Sequence, residues 1–223
     1  MKLTPHACIN DAIGYLDKTN NWKNLKMTQS TAASTSRNSV LVGPSGRALA
    51  EPIAEDLLNG LQHHLNMERQ AHANYFAAAV WFAERELRGF ARYFREESQS
   101  EHKHAAQFAE YLIARGQSVD LQPLEAPNQV WDAPTDVFAT SFLMEADITA
   151  SLHQLYALGE HASDVRTTVF LDPMVDQQTQ AENEFAYLLG RVRFAGDDKS
   201  ALLIIDNELY QGQHQPATLK EYN

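Results

Sequence analysis

Glu68, Glu101, His104, Glu145 and Gln178 are polar residues set in stretches that otherwise repeat Leu, Ala, Phe and Tyr at three- and four-residue spacing. A carboxylate in such a stripe faces the interior of a helical bundle, where an uncompensated charge is strongly unfavourable. Three carboxylates converging on one core repel each other unless a cation lies between them. Glu101 and His104 are three residues apart, so both side chains lie on one helix face. A carboxylate and an imidazole aimed together at further carboxylates suit Fe(II), which accepts mixed oxygen and nitrogen ligands. Helical bundles build di-iron sites from such parts, with carboxylates on some helices and Glu-x-x-His pairs on others. A lone Glu-x-x-His is common on solvated helix faces and carries little weight. Glu68 and Glu145, placed in apolar stripes, change that balance.

Long helices must position these residues. Pro52 suits a first turn, and Leu57, Leu58, Leu61, Leu65, Glu68, Ala71, His72, Tyr75, Phe76 and Ala79 carry a helical period to about Glu84. A second helix is predicted from about Leu87 to Arg115, with Phe90, Phe94, Glu97, Glu101, His104, Phe108 and Leu112 on one face and Gly116 as its stop. Asp132 reads as the N-cap of a third, with Pro134 in its first turn and an end near His161. A fourth begins at Thr167 or Pro173 and reaches Phe194, and Ala201 to Tyr210 form a short fifth.

Length sets the topology. A helix of about 28 residues is roughly 42 Å long. Short connections make the first and second helices one antiparallel hairpin, and the third and fourth another. The Pro-containing connection from Gln117 to Ala133 can extend to roughly 56 Å. It can therefore travel the whole bundle and set the third helix parallel to the second. The expectation is an all-α four-helix bundle with one long crossover.

Composition excludes other classes. The 223 residues carry a net charge of −11 and a single cysteine, Cys8. An acidic chain is a poor partner for nucleic acid and attracts cations. One cysteine gives neither a disulfide framework nor a thiolate metal site. No apolar run is long enough to span a membrane, so a cytoplasmic protein is expected. Residues 1–43 stand apart as a flexible extension. Asp11 to Leu16 could form a short amphipathic helix, and the Ser/Thr-rich run from Thr28 to Ser39 offers little surface to bury. It reads as a natural extension or as a mis-set start preceding Met27. A targeting peptide is disfavoured by Asp11 and Asp17. The domain is expected over 44–214, with 215–223 as a tail.

The segments Asn66-Met67-Glu68 with Tyr75, Glu101-His102-Lys103-His104, Glu145 with Ile148 and Ser151, and Gln177-Gln178-Thr179-Gln180-Ala181 resemble the first four helices of ferritins. The intervals agree too, at 33 residues from Glu68 to Glu101, 77 to Glu145 and 110 to Gln178. Trp131 matches a tryptophan often found where the third ferritin helix begins. The similarity covers about residues 45–212.

The resemblance implies a ferritin-like fold and a ferroxidase that stores ferric mineral in a homo-oligomeric cage of 24 subunits, with Fe2+ and O2 or H2O2 as substrates. It implies that Glu68 and His104 bind the first iron, Glu101 bridges both, and Glu145 binds the second. Gln178 would hydrogen-bond near the second site. Tyr75, two turns from Glu68, would bond the site and supply an electron; a core tyrosine with a satisfied hydroxyl is the alternative. Glu97, one turn before Glu101, reads as an iron relay or as a solvated carboxylate. Asp172 reads as a channel residue or, more simply, as a carboxylate favoured by a helix N-terminus.

Departures from relatives narrow the expectation. Haem-binding ferritins carry a second Glu-x-x-His and a methionine ligand; here those positions hold Gln178, Ala181 and His102, so no haem is expected. Ser100, Gln177, Gln180 and Ala181 replace the carboxylates of a third iron site. His63, His64, His72, His153, His161 and His214 read as surface or ordinary packing. Two rival functions stand beside iron storage: a di-iron oxidoreductase acting on an organic substrate or peroxide, and a bundle that binds iron without oxidising it.

Overall fold

The computed structural model describes residues 39–214. Cys8, the helix expected over Asp11 to Leu16, Met27 and the tail at 215–223 lie outside the described residues. Within the described part, five helices follow in order: α1 (Glu55–Ala83), α2 (Arg88–Ala114), α3 (Pro134–His161), α4 (Val165–Ala195) and α5 (Lys199–Gln211). The first four form the bundle, and α5 packs across α2 and α4.

Helix ends show where local chemistry differs from the simplest expectation. Pro52 lies outside α1, which starts at Glu55 behind Ala54 and has Glu55 and Asp56 in its first turn to meet the dipole. At α3 the cap is Ala133, and the carboxylate of Asp136 accepts its N–H at 3.1 Å. Asp132 is not the cap, because the reach back from the third helical residue serves that donor instead. Helix α4 begins earlier than expected, at Val165, with Asp164 accepting the Thr167 N–H, and continues through Pro173. Helix α2 ends as the sequence implies. Gly116 has φ +73°, and its N–H and that of Gln117 reach Ile113 and Leu112, the left-handed stop that glycine favours. A turn at residues 41–49 packs onto this end, with Ser45 Oγ donating to the Gly116 carbonyl at 3.0 Å.

The crossover after Gly116 is fastened to α1 by amide side chains spaced four residues apart. Gln62 donates to the Ser118 carbonyl and accepts from the Asp120 N–H, at 2.7 and 2.9 Å. Asn66 donates to the Asp120 carbonyl at 2.9 Å and accepts from the Gln122 N–H at 3.0 Å. Gln70 binds both backbone groups of Glu125, at 3.1 and 2.8 Å. From Gln62 to Asn66 the periods match: four helical residues rise roughly 6.0 Å, and two extended residues span roughly 6.6 Å. The crossover therefore runs parallel to α1 and delivers α3 to the far end of the bundle. Asn66→Ala removes one rung whose partners can turn to water. It is expected to cost about 1 kcal/mol and to speed hydrogen exchange at the Gln122 amide, which exchange measured by mass spectrometry would read.

The core falls into two apolar clusters. An aromatic one holds Tyr75, Phe82, Phe90, Tyr93, Phe94, Phe138 and Phe185. An aliphatic one holds Leu57, Leu61, Leu65, Phe108, Leu112, Leu152, Leu155 and Leu171. On each of the four long helices the chain passes from one cluster to the other. The residue at or near that transition is polar: Glu68 on α1, Glu101 on α2, Glu145 on α3 and Gln178 on α4.

Candidate metal centre

The four helices bring these polar residues to one level of the bundle. Glu68, Glu101 and His104 offer donor atoms that all lie within 4.8 Å of one another. His104 Nδ1 is 3.0 Å from Glu101 Oε2 and 3.8 Å from Glu68 Oε2. The carboxylates are buried, at 3 % exposure for Glu68, 4 % for Glu101 and 1 % for Glu145, so solvent does little to screen their repulsion. Glu68 Oε2 has no hydrogen-bond partner although it is buried. A buried carboxylate oxygen left open is costly by itself and is what a cation ligand requires.

Glu145 on α3 is held by two donors. Its carboxylate accepts from the Tyr75 hydroxyl and from Gln178 Nε2 at 2.7 Å, and the same amide donates to the Glu145 carbonyl at 3.2 Å. Both donors hold Glu145 in one orientation. Tyr75 is itself fixed by stacking on Phe185, with ring centroids 5.4 Å apart.

His64, which the sequence leaves as surface or ordinary packing, is fully buried, and its Nδ1 meets Ser151 Oγ of α3 at 2.8 Å. Its Nε2 lies 3.0 Å from Glu68 Oε1, close but misaligned for a hydrogen bond. His64 thus ties α3 to the back of Glu68. The spacing of four residues to Glu68 was the available signal. His214 is likewise buried, 3.0 Å from Glu184 and edge-on to Tyr93.

Charge is distributed unevenly in the protein alone. Burial raises Glu68, but contacts with Glu101, His104 and His64 outweigh it and hold its carboxyl well below the usual range. Burial and the adjacent Glu68 push Glu101 far above that range, against the pull of His104. Burial opposes a charge on His104, yet Glu101 and Glu68 raise it to about 10. Burial also raises Glu145, against the hydrogen bonds from Tyr75 and Gln178. At neutral pH His104 therefore carries a positive charge, and Glu101 holds its proton more tightly than an ordinary carboxyl.

Glu97 is half-buried one turn before Glu101, and burial, Glu184 and Glu145 push its carboxyl up to about 8. Asp172 does not sit at a helix start. It lies exposed beyond the second turn of α4, where its carboxylate accepts from the Tyr156 hydroxyl at 2.9 Å.

Comparison with known proteins places this geometry in context. The Ferritin-like domain profile matches residues 58–195. The bacterial non-heme ferritin of Staphylococcus epidermidis is 27 % identical over 157 residues, covering 70 % of this chain and 95 % of that protein. Its Staphylococcus aureus counterpart is 26 % identical over the same length. Among solved structures, the open pore ferritin from the hyperthermophilic archaeon Archaeoglobus fulgidus is 30 % identical with a TM-score of 0.69, covering 71 % of this chain and 98 % of that one.

Proposed function

The chain belongs to the ferritin family, and on that premise we propose that it stores iron and oxidises Fe(II) at the Glu68–Glu101–His104–Glu145 centre. The observation that carries the reading is the cluster of buried Glu68 and Glu101 with His104, donor atoms within 4.8 Å of one another, together with a third buried carboxylate, Glu145, on α3 and with Glu68 Oε2 left open. Such a set is unfavourable until a cation enters. In this reading Glu68 and His104 hold one ferrous ion, Glu101 lies between two, and Glu145 holds the second. Tyr75 and Gln178 keep Glu145 in place. Two ferrous ions give one electron each to O2, which takes up two protons to become H2O2; H2O2 can replace O2 as oxidant. Glu97 is the relay toward the interior. Ferric product collects inside a closed shell of 24 subunits, which elutes near 600 kDa, about 24 times the chain mass. No haem takes part. No described helix is long and apolar enough to cross a membrane, and a cytoplasmic setting fits the reading.

Anaerobic Fe(II) soaking tests the centre directly: two irons per subunit are expected on these side chains, and iron elsewhere or none would overturn the reading. Proton release is a second test. His104, raised to about 10, must lose its proton before it can bind metal, and Glu101 and Glu145 hold protons more tightly than ordinary carboxyls. Acid adds protons to those groups, so apparent affinity falls as pH drops from 8 to 6. Titrating Co2+ into the assembled protein in buffers of different ionisation enthalpy should show proton release. Binding with no pH dependence and no released proton would contradict it.

A further inference from the structure

Along the seam between α1 and α2, one turn beyond Glu68 and beside Glu101, two imidazoles meet. The rings of His72 and His102 have centroids 5.4 Å apart, tilted by 47°. His72 Nδ1 is 2.7 Å from the Ser98 carbonyl oxygen and 2.9 Å from the Ser98 hydroxyl. That hydroxyl in turn donates to the His72 carbonyl at 3.0 Å. A carbonyl oxygen can only accept, so Nδ1 carries a proton and Nε2 is the nitrogen whose lone pair can meet a metal. Anchoring one ring nitrogen on a backbone carbonyl is how proteins orient a histidine ligand. His102 follows Ser98 by four residues and so stands on the same stripe of α2, beside the anchored ring. It is exposed, while His72 is half-buried. Among the described residues neither imidazole makes another hydrogen bond.

We propose that His72 and His102 form a second metal site, separate from the carboxylate centre, which binds a late first-row divalent ion across α1 and α2 with water completing its coordination. Two imidazoles without a carboxylate favour Cu2+ and Zn2+ over Fe2+, and the net charge of −11 raises the local concentration of any cation. The bound ion staples the two helices that supply Glu68, Glu101 and His104. His72, which the sequence alone leaves as surface or ordinary packing, thereby acquires a role as a ligand.

Cu2+ added to the assembled, iron-free protein tests the site by electron paramagnetic resonance. Glu101→Gln, which disables the carboxylate centre, should retain a copper signal split by two imidazole nitrogens. Adding His102→Ala to that variant should remove the two-nitrogen pattern, and His72→Ala should do the same. Zn2+ calorimetry gives an independent count: His102→Ala should lose one bound ion per subunit, while Glu101→Gln keeps it. His102 is exposed, so its replacement leaves the core intact, and an unchanged thermal midpoint confirms this. Spectra and zinc counts that do not respond to His102→Ala would overturn the proposal.

Discussion

Glu101→Gln is expected to lower the initial rate of O2-dependent Fe(II) oxidation by about 100-fold, equivalent to about 2.7 kcal/mol of lost transition-state stabilisation. The size follows from position. Glu101 clusters with Glu68 and His104, and in the proposed centre it touches both ions, so its loss weakens both at once. The amide has the shape of the carboxyl but cannot bridge two cations. Burial and Glu68 push the Glu101 carboxyl toward its neutral form, and glutamine is the neutral counterpart of that acid, so the fold should tolerate the change. Stopped-flow oxidation and thermal unfolding of the iron-free protein, measured on the same preparation, separate the two effects. Wild-type oxidation by this variant would sink the di-iron assignment. A parallel collapse in stability would instead make Glu101 a structural residue.

The readable features were those with a local period. Apolar residues at three- and four-residue spacing give the long helices, and a crossover long enough to span the bundle gives their order. Glu68, Glu101 and Glu145 stood out because each interrupts an apolar stripe with a charge that burial makes expensive. Features that depend on distant partners left no such trace. Gln62, Asn66 and Gln70 repeat every four residues, yet from sequence they look like an ordinary solvated face; the backbone they bind lies more than fifty positions away. Likewise, the seat of the 41–49 turn on Gly116 is a long-range contact with no periodic signal. Pro52 and Asp132 were plausible helix starters by residue type. The deciding groups were the acidic first turn at Glu55 and Asp56, and the carboxylate of Asp136. His64 was legible in principle, since its spacing to Glu68 places both on one face. A buried histidine that supports a carboxylate nevertheless looks like any core histidine until its partner Ser151 on α3 is known.

Arg115→Met is expected to cost about 3 kcal/mol of stability, because it breaks a buried ion pair and strands its partner. Arg115 closes α2, and its guanidinium holds both carboxylate oxygens of Asp164, at 3.0 and 2.7 Å. It also reaches the Thr167 hydroxyl at 3.2 Å and the Tyr111 hydroxyl. Asp164 serves twice, since it also caps α4 by accepting the Thr167 N–H. The pair therefore fastens the C-terminal end of α2 to the start of α4, which no short loop connects. The figure is at the low end for a broken pair because this group lies at an end of the bundle, where water can reach a freed carboxylate. For a chain of this size the loss lowers the thermal midpoint by roughly 6–12 °C. The pH dependence has a definite sign. Burial opposes the charge on Asp164, but Arg115 outweighs it and holds the carboxyl below its ordinary value. The pair's contribution is present above the unfolded pKa of an aspartate, about 3.9, and is lost as acid protonates Asp164 in the folded protein. Wild type and Arg115→Met should therefore differ most at neutral pH and converge as acid protonates Asp164 in the folded protein. A gap that persisted undiminished into acid would show that lost packing of the arginine stem, rather than the ion pair, sets the cost.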